Sequence, residues 1–164
     1  MTSNSARTAL AYQLIWFPLT FACAALGARA SVSAAAFYAA LTQPAWAPPA
    51  WLFGPVWSVL YLLMAIAAWR ISRQPSGAAR TALLLYAAQL ALNALWSWLF
   101  FGWHLGAAAF LCLLAMWALI LATLIRFYRL ERLSAWLLFP YIAWVSFAGV
   151  LCYTIWQLNP VQLG

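Results

Sequence analysis

Apolar residues do not alternate along this chain; they come in long blocks, with polar positions gathered at the block edges. Five blocks stand out, at about residues 9–28, 55–71, 79–103, 105–128 and 134–158. A helix rises about 1.5 Å per residue, so roughly 20 residues cross a hydrocarbon core of about 30 Å. In lipid a segment must satisfy its own backbone hydrogen bonds, which makes each block a helix. The pattern predicts an all-α integral membrane protein, a five-transmembrane-helix bundle forming a single domain over residues 1–164. Pro18 predicts a kink near the middle of the first span. Pro55 suits the first turn of the second, where its missing N–H costs nothing.

The connection between the first two spans is too long for a plain loop. Its stretch from Ala34 to Leu41 predicts a short interfacial helix. Pro44, Pro48 and Pro49 follow, with Trp46 and Trp51 beside them. Prolines hold such a segment extended and lower its entropy. Indoles bring large apolar faces with polar tips. The segment suits a lid over the bundle mouth, and it suits an anchor at the lipid interface equally well.

Composition narrows the class. Apolar residues make up 69% of the 164 and charged ones 5%, with a mean hydropathy of +0.93. A soluble domain is about a quarter charged, so a soluble enzyme and a disordered chain are excluded. The net charge of +7 comes from eight Arg and one acid, Glu131. The arginines lie in small groups between apolar blocks, unlike a nucleic-acid-binding stripe. Arg7, Arg70, Arg73, Arg80, Arg126, Arg129 and Arg132 fall on one side of the bundle, and Arg29 alone on the other. The bias predicts a cytoplasmic amino terminus and an outside carboxyl terminus. Trp16, Trp69, Trp103, Trp136 and Trp156 include several at span ends, as an aromatic belt requires. The absence of Lys and the short loops suit a bacterial cell membrane.

Intramembrane polar residues point to function. Gln89, Asn93, Trp96 and Phe100 share one face of the third span, at helical spacing. Phe53, Trp57, Tyr61 and Met64 do so on the second, and Tyr141, Trp144, Ala148, Leu151, Cys152 and Ile155 on the fifth. If the stripes converge they enclose an aromatic cavity with few hydrogen-bonding groups, suited to a flat apolar ligand. Side chains bonding across a packed bundle give the same pattern, and both readings stand on spacing alone. One His and one acid cannot form a triad or a carboxylate pair. Cys23, Cys112 and Cys152, dispersed in apolar blocks, read as packing residues rather than a metal site. His104 falls in a tight turn on the side of Arg29, as a solvated residue or a contact for a ligand acid.

The run Trp46-Ala47-Pro48-Pro49, with Phe53, Pro55-Val56-Trp57 and Leu60-Tyr61 after it, resembles the signature of the TspO/MBR family. These are the translocator proteins, or peripheral-type benzodiazepine receptors. Gln89-Leu90, Leu92-Asn93, Trp96 and Phe100-Phe101 are similar to the family's third helix. Pro140-Tyr141, Trp144, Phe147-Ala148 and Leu158-Asn159 are similar to its fifth. The resemblance implies a five-helix bundle with a cavity under the loop between helices one and two. It implies porphyrins and other tetrapyrroles as ligands, with sterols and benzodiazepine-type drugs in some members, and a homodimer. Family pocket positions fall here on Tyr38, Trp46, Pro49, Trp57, Asn93, Trp96, Trp144 and Ala148. The chain departs from the family pattern at Phe37, Gln43 and Cys152, and no basic residue completes the sterol motif after Tyr153.

Stripes and resemblance together give a ligand site of those eight residues with Tyr61, Gln89 and Phe100, and a mouth at Arg29 and His104. The function they imply is capture of protoporphyrin or a related tetrapyrrole by a sensor, regulator or carrier that needs no cofactor and no metal. The alternative is an enzyme of light- and oxygen-dependent porphyrin degradation, with Trp57 and Trp144 as oxidisable partners.

Overall fold

The computed structural model describes residues 13–74 and 76–164. Arg7 and the opening residues of the first span, 9–12, lie outside them. In chain order the helices are α1 (Trp16–Ala30), α2 (Ala34–Ala40), α3 (Phe53–Ser72), α4 (Gly77–Ser97), α5 (Gly106–Leu130), α6 (Arg132–Leu158) and the short α7 (Pro160–Leu163). A 3-10 turn, Ala50–Leu52, leads into α3, and a π-helical turn, Trp98–Gly102, extends α4. No strand occurs among the described residues. Four helical stretches are long and apolar enough to cross a membrane: Ala50–Ser72, Gly77–Gly102, Gly106–Leu130 and Arg132–Leu158. α1 and α2, bent by 50° at their junction, complete a five-helix membrane bundle.

Local chemistry sets the boundaries. Ser76 caps α4, its Oγ accepting from the Ala79 N–H at 3.1 Å. Glu131 adopts an extended backbone (φ −157°, ψ 111°) and so separates α5 from α6. Pro160 opens α7, where its ring is tolerated. The expected kink at Pro18 takes a different form. Residues 13 and 14 are helical, Ile15 is a turn, and α1 resumes at Trp16, so the helix is interrupted three residues before Pro18. Pro18 has no N–H to give the carbonyl four residues back, which leaves that turn open.

α4 packs along α5, α5 along α6, and α3 along α6, while α1 lies against both α3 and α4. Gly27 permits that last approach, since a Cβ there would meet Ser97 Oγ at 3.1 Å. Gly106 begins α5 directly under the Trp156 ring, which leaves no room for a side chain.

The half of the bundle nearest the Arg-rich connections is solid. Ala65, Ala68, Ile71, Tyr86 and Phe127 are fully buried there. Thr20 and Tyr86 share a hydrogen bond of 2.6 Å. At its edge Arg70 grips Glu131 with both ends of its guanidinium, Nε donating to Oε2 at 3.0 Å. Ser134 Oγ donates to the same carboxylate. That cluster fastens the end of α3 to the start of α6. Large apolar side chains such as Leu84, Leu111, Trp136 and Phe139 point outward, as a lipid-facing surface requires.

A candidate ligand cavity beneath the long loop

The opposite half is hollow. A cavity of about 330 Å³ lies between α1, α2, α3, α4 and α6, and no α5 side chain lines it. Trp57, Trp96 and Trp144 form its aromatic walls with Phe53 and Phe101. Ala24, Gly27 and Ala28 of α1 supply a smooth side of small residues.

Its floor is a hydrogen-bonded chain across three helices. Tyr61 OH donates to Asn93 Oδ1 at 2.6 Å, and Asn93 Nδ2 donates to Tyr141 OH at 3.1 Å. Tyr141 OH in turn donates to Gln89 Oε1 at 2.6 Å. Tyr61 and Asn93 reach the cavity, whereas Gln89 and Tyr141 lie beneath it, fully buried. The two readings of this stripe are therefore divided by depth: Gln89 joins helices, and Asn93 both joins them and faces the open space.

The roof is α2 and the loop after it. Tyr38 lines the cavity and donates its OH to Pro48 O at 3.0 Å. Gln43 Nε2 donates back to Tyr38 O at 2.5 Å. At the far side the Thr42 N–H donates to Asn159 Oδ1 at 2.8 Å, and Asn159 Nδ2 donates to Thr42 O at 2.9 Å. Trp46 sets its ring edge-on to Phe147 of α6, with centroids 5.9 Å apart. The loop thus folds over the bundle mouth and is held at both ends.

Of the expected site residues, Tyr38, Trp57, Tyr61, Asn93, Trp96, Trp144 and Ala148 line the cavity together. Trp46, Pro49, Gln89 and Phe100 do not. Phe100 stacks behind Trp96 at 5.6 Å, and Phe101 takes the inward place. The cause is the π turn, where the Trp103 N–H bonds Trp98 O at 2.7 Å, five residues back. One extra residue per turn rotates the face by a position, so α-helical spacing from Trp96 picks the wrong phenylalanine. Arg29 is exposed and does not line the cavity. His104, with a left-handed φ of 56°, stacks on Phe37 at 4.1 Å and does not line the cavity.

Sequence reasoning missed Phe101, Ser97, the small-residue face of α1, and the Thr42–Asn159 clasp. Alanine and glycine carry no aromatic or polar signal. Asn159 enters the sequence reading only within the Leu158-Asn159 resemblance, without its distant partner.

The cavity holds no charged side chain among its lining residues. It presents indole and phenyl faces, a phenol and an amide, which suits stacking and one or two hydrogen bonds rather than ion binding.

Comparison with known proteins agrees with this architecture. The pattern that defines the TspO/MBR family matches residues 8–157. Protein CrtK of Rhodobacter capsulatus is 41% identical over 142 residues, which cover 85% of this chain and 89% of that one. The tryptophan-rich sensory protein of Cereibacter sphaeroides is 39% identical, covering 86% and 90%. The translocator protein of Bos taurus is 39% identical, covering 77% and 76%. Because the match runs from the first span to the last turn of the fifth, the chain belongs to the TspO/MBR family.

Proposed function

We propose that the cavity captures a flat, apolar tetrapyrrole, with protoporphyrin as the type ligand, and that the protein acts as its membrane sensor, regulator or carrier. The observation that carries this reading is the enclosure of a space of about 330 Å³ by three indoles over a Tyr61–Asn93 floor. A macrocycle about 10 Å across and about 3.5 Å thick would fill most of such a space. Its propionates would be costly to bury without a cation, so they lie at the mouth, on the side of Arg29 and His104. Relatives named as a sensory protein and as translocator proteins favour sensing or carriage. The site belongs to a bundle in a bacterial cell membrane, with the amino terminus cytoplasmic and the protein paired as a homodimer. Quenching of tryptophan emission by protoporphyrin, in protein held in lipid nanodiscs, tests the reading. Saturable quenching that Trp96→Ala weakens supports it, and quenching no greater than that of free indole overturns it.

A second reading is favoured by Trp57 and Trp144, two electron-rich rings bordering the same space. Under light, with dioxygen as oxidant, they would promote breakdown of bound porphyrin. Product analysis with and without oxygen separates the two. A new protein-dependent chromophore that Trp57→Phe and Trp144→Phe abolish supports breakdown. Bleaching at the rate of the free ligand leaves binding alone.

A further inference from the structure

A second hollow lies outside the bundle. It is a groove of about 610 Å³ between α3 and α6, walled by Pro55, Val56, Val59 and Leu60 on one side and by Pro140, Ala143, Trp144 and Phe147 on the other. Pro140 and Phe147 lie about 12 and about 23 Å along α6 from Arg132 at 1.5 Å per residue. The groove therefore faces lipid along the half of the bundle that runs from mid-membrane to the loop. Among the described residues, Trp144 alone lines both this groove and the inner cavity. Its indole is the partition between them.

We propose that Trp144 is a movable partition and the α3–α6 groove a lateral port, through which the flat apolar ligand passes between the bilayer and the cavity. This rests on the reading of the cavity as a ligand site. Four observations carry it. First, no hydrogen bond pins the ring: its Nε1 is buried and finds no partner among the described residues. An indole held by a bond would have to break it to turn, whereas this one gains a partner when a ligand brings an acceptor. Second, its neighbours leave room, with Ala143 outside and Ala148 inside. Third, Pro140 lies one turn before it inside α6 and has no N–H to give the Trp136 carbonyl, so the helix yields most easily there.

The fourth observation links the partition to the roof. Tyr38 meets Phe53 edge-on at 5.5 Å, and Phe53 meets Trp144 at 5.9 Å. Trp144 meets Phe147 at 5.5 Å, and Phe147 meets Trp46 at 5.9 Å. The rings form an arc that leaves the loop at Tyr38 and returns to it at Trp46. Turning Trp144 disturbs both contacts of that arc, so the port and the loop respond together. The roof itself is clasped by Asn159 and by Tyr38, which makes the side wall the less restrained way in.

Val59 and Ala143 are lipid-exposed and lie outside the cavity lining, so they can be enlarged without crowding the core. The test uses the full chain in nanodiscs and protoporphyrin presented in the lipid, with association and dissociation followed by tryptophan quenching. Ala143→Phe and, from the opposite wall, Val59→Trp are expected to slow both rates about tenfold while Kd stays unchanged, since a blocked passage alters the barrier and not the end states. Rates equal to wild type in both variants overturn the port and leave the cavity reading intact. A change in oligomeric size in either variant also overturns it, by making the groove a contact between copies. Failure of the wild-type protein to bind protoporphyrin overturns the cavity reading, and the port with it.

Discussion

Thr42 and Asn159, 117 residues apart, exchange two hydrogen bonds between the backbone of one and the side-chain amide of the other. The pairing ties the loop after α2 to the end of α6. Asn159 is 2% exposed, and its Nδ2 also reaches Ile155 O at 2.7 Å. Its side chain is the fastening of the roof.

Replacing Asn159 by Leu should release that fastening. Two Thr42 backbone groups lose their partner, at about 1 kcal/mol each. Hydrogen exchange at residues 41–49 is expected to quicken, with protoporphyrin affinity falling several-fold. Pro48→Gly with Pro49→Gly should weaken affinity in the same sense by raising the entropy cost of an ordered loop. Unchanged exchange and affinity in both variants would show that the roof is held elsewhere.

Asn93 and Gln89 are one turn apart and should separate under mutation. Gln89→Leu leaves Tyr141 OH only the weak Met116 sulfur as acceptor below the cavity, so Tm is expected to fall while affinity per folded protein stays close to wild type. Asn93→Leu removes the acceptor of Tyr61 and the donor to Tyr141, so both Tm and affinity should fall, affinity by about 1 kcal/mol or roughly fivefold. Thermal melts and titrations on the same samples decide it.

Acid should loosen the Arg-rich edge. The Arg70 hydrogen bonds hold the Glu131 carboxyl below its ordinary value of 4.5 against the opposing cost of burial, with Ser134 and the charges of Arg70 and Arg73 adding smaller lowering effects. A folded-state pKa below the unfolded one means stability that is present above the unfolded value and lost as pH falls through the folded one. Tm should therefore hold level down to about pH 5 and decline below it. Glu131→Gln should start lower and decline less over the same interval. Parallel curves for the two proteins would remove Glu131 from the acid response.

Metal-free protoporphyrin should bind at least as tightly as haem. His104 is spent on Phe37 outside the lining, and no imidazole or carboxylate lines the cavity to ligate iron. Arg29→Ala should weaken binding more at low salt than at high salt, as an exposed cation at the mouth would. Haem affinity far above that of protoporphyrin, with a spectrum of axial ligation, would place the ligand elsewhere.

The arginine imbalance predicts a carboxyl terminus outside the cell. A carboxyl-terminal alkaline phosphatase fusion should be active, and a green fluorescent fusion dark. The reverse pattern would invert the bundle and put the mouth on the cytoplasmic side.

The spans were legible because lipid tolerates few alternatives to a run of about 20 apolar residues. The short helix Ala34–Ala40 was legible from its alanines. Trp57, Tyr61, Asn93, Trp96 and Trp144 came from helical spacing, which holds wherever the backbone is regular. It fails at Trp98–Gly102, where the backbone is not, and there Phe101 displaced Phe100. The share of α1 was hidden because Ala24, Gly27 and Ala28 act by being small. The clasp was hidden because spacing says nothing about partners 117 residues apart.

The π turn after Ser97 also makes chain length a tuning variable. Deleting Phe101 would let the segment relax to an α turn and bring Phe100, four residues after Trp96, round to the ligand. The same edit in α5 would shift every contact downstream. A single codon lost or gained at this turn can thus reshape the recognition surface while the rest of the bundle keeps its register, which marks it as a place where relatives could diverge in ligand preference at little structural cost.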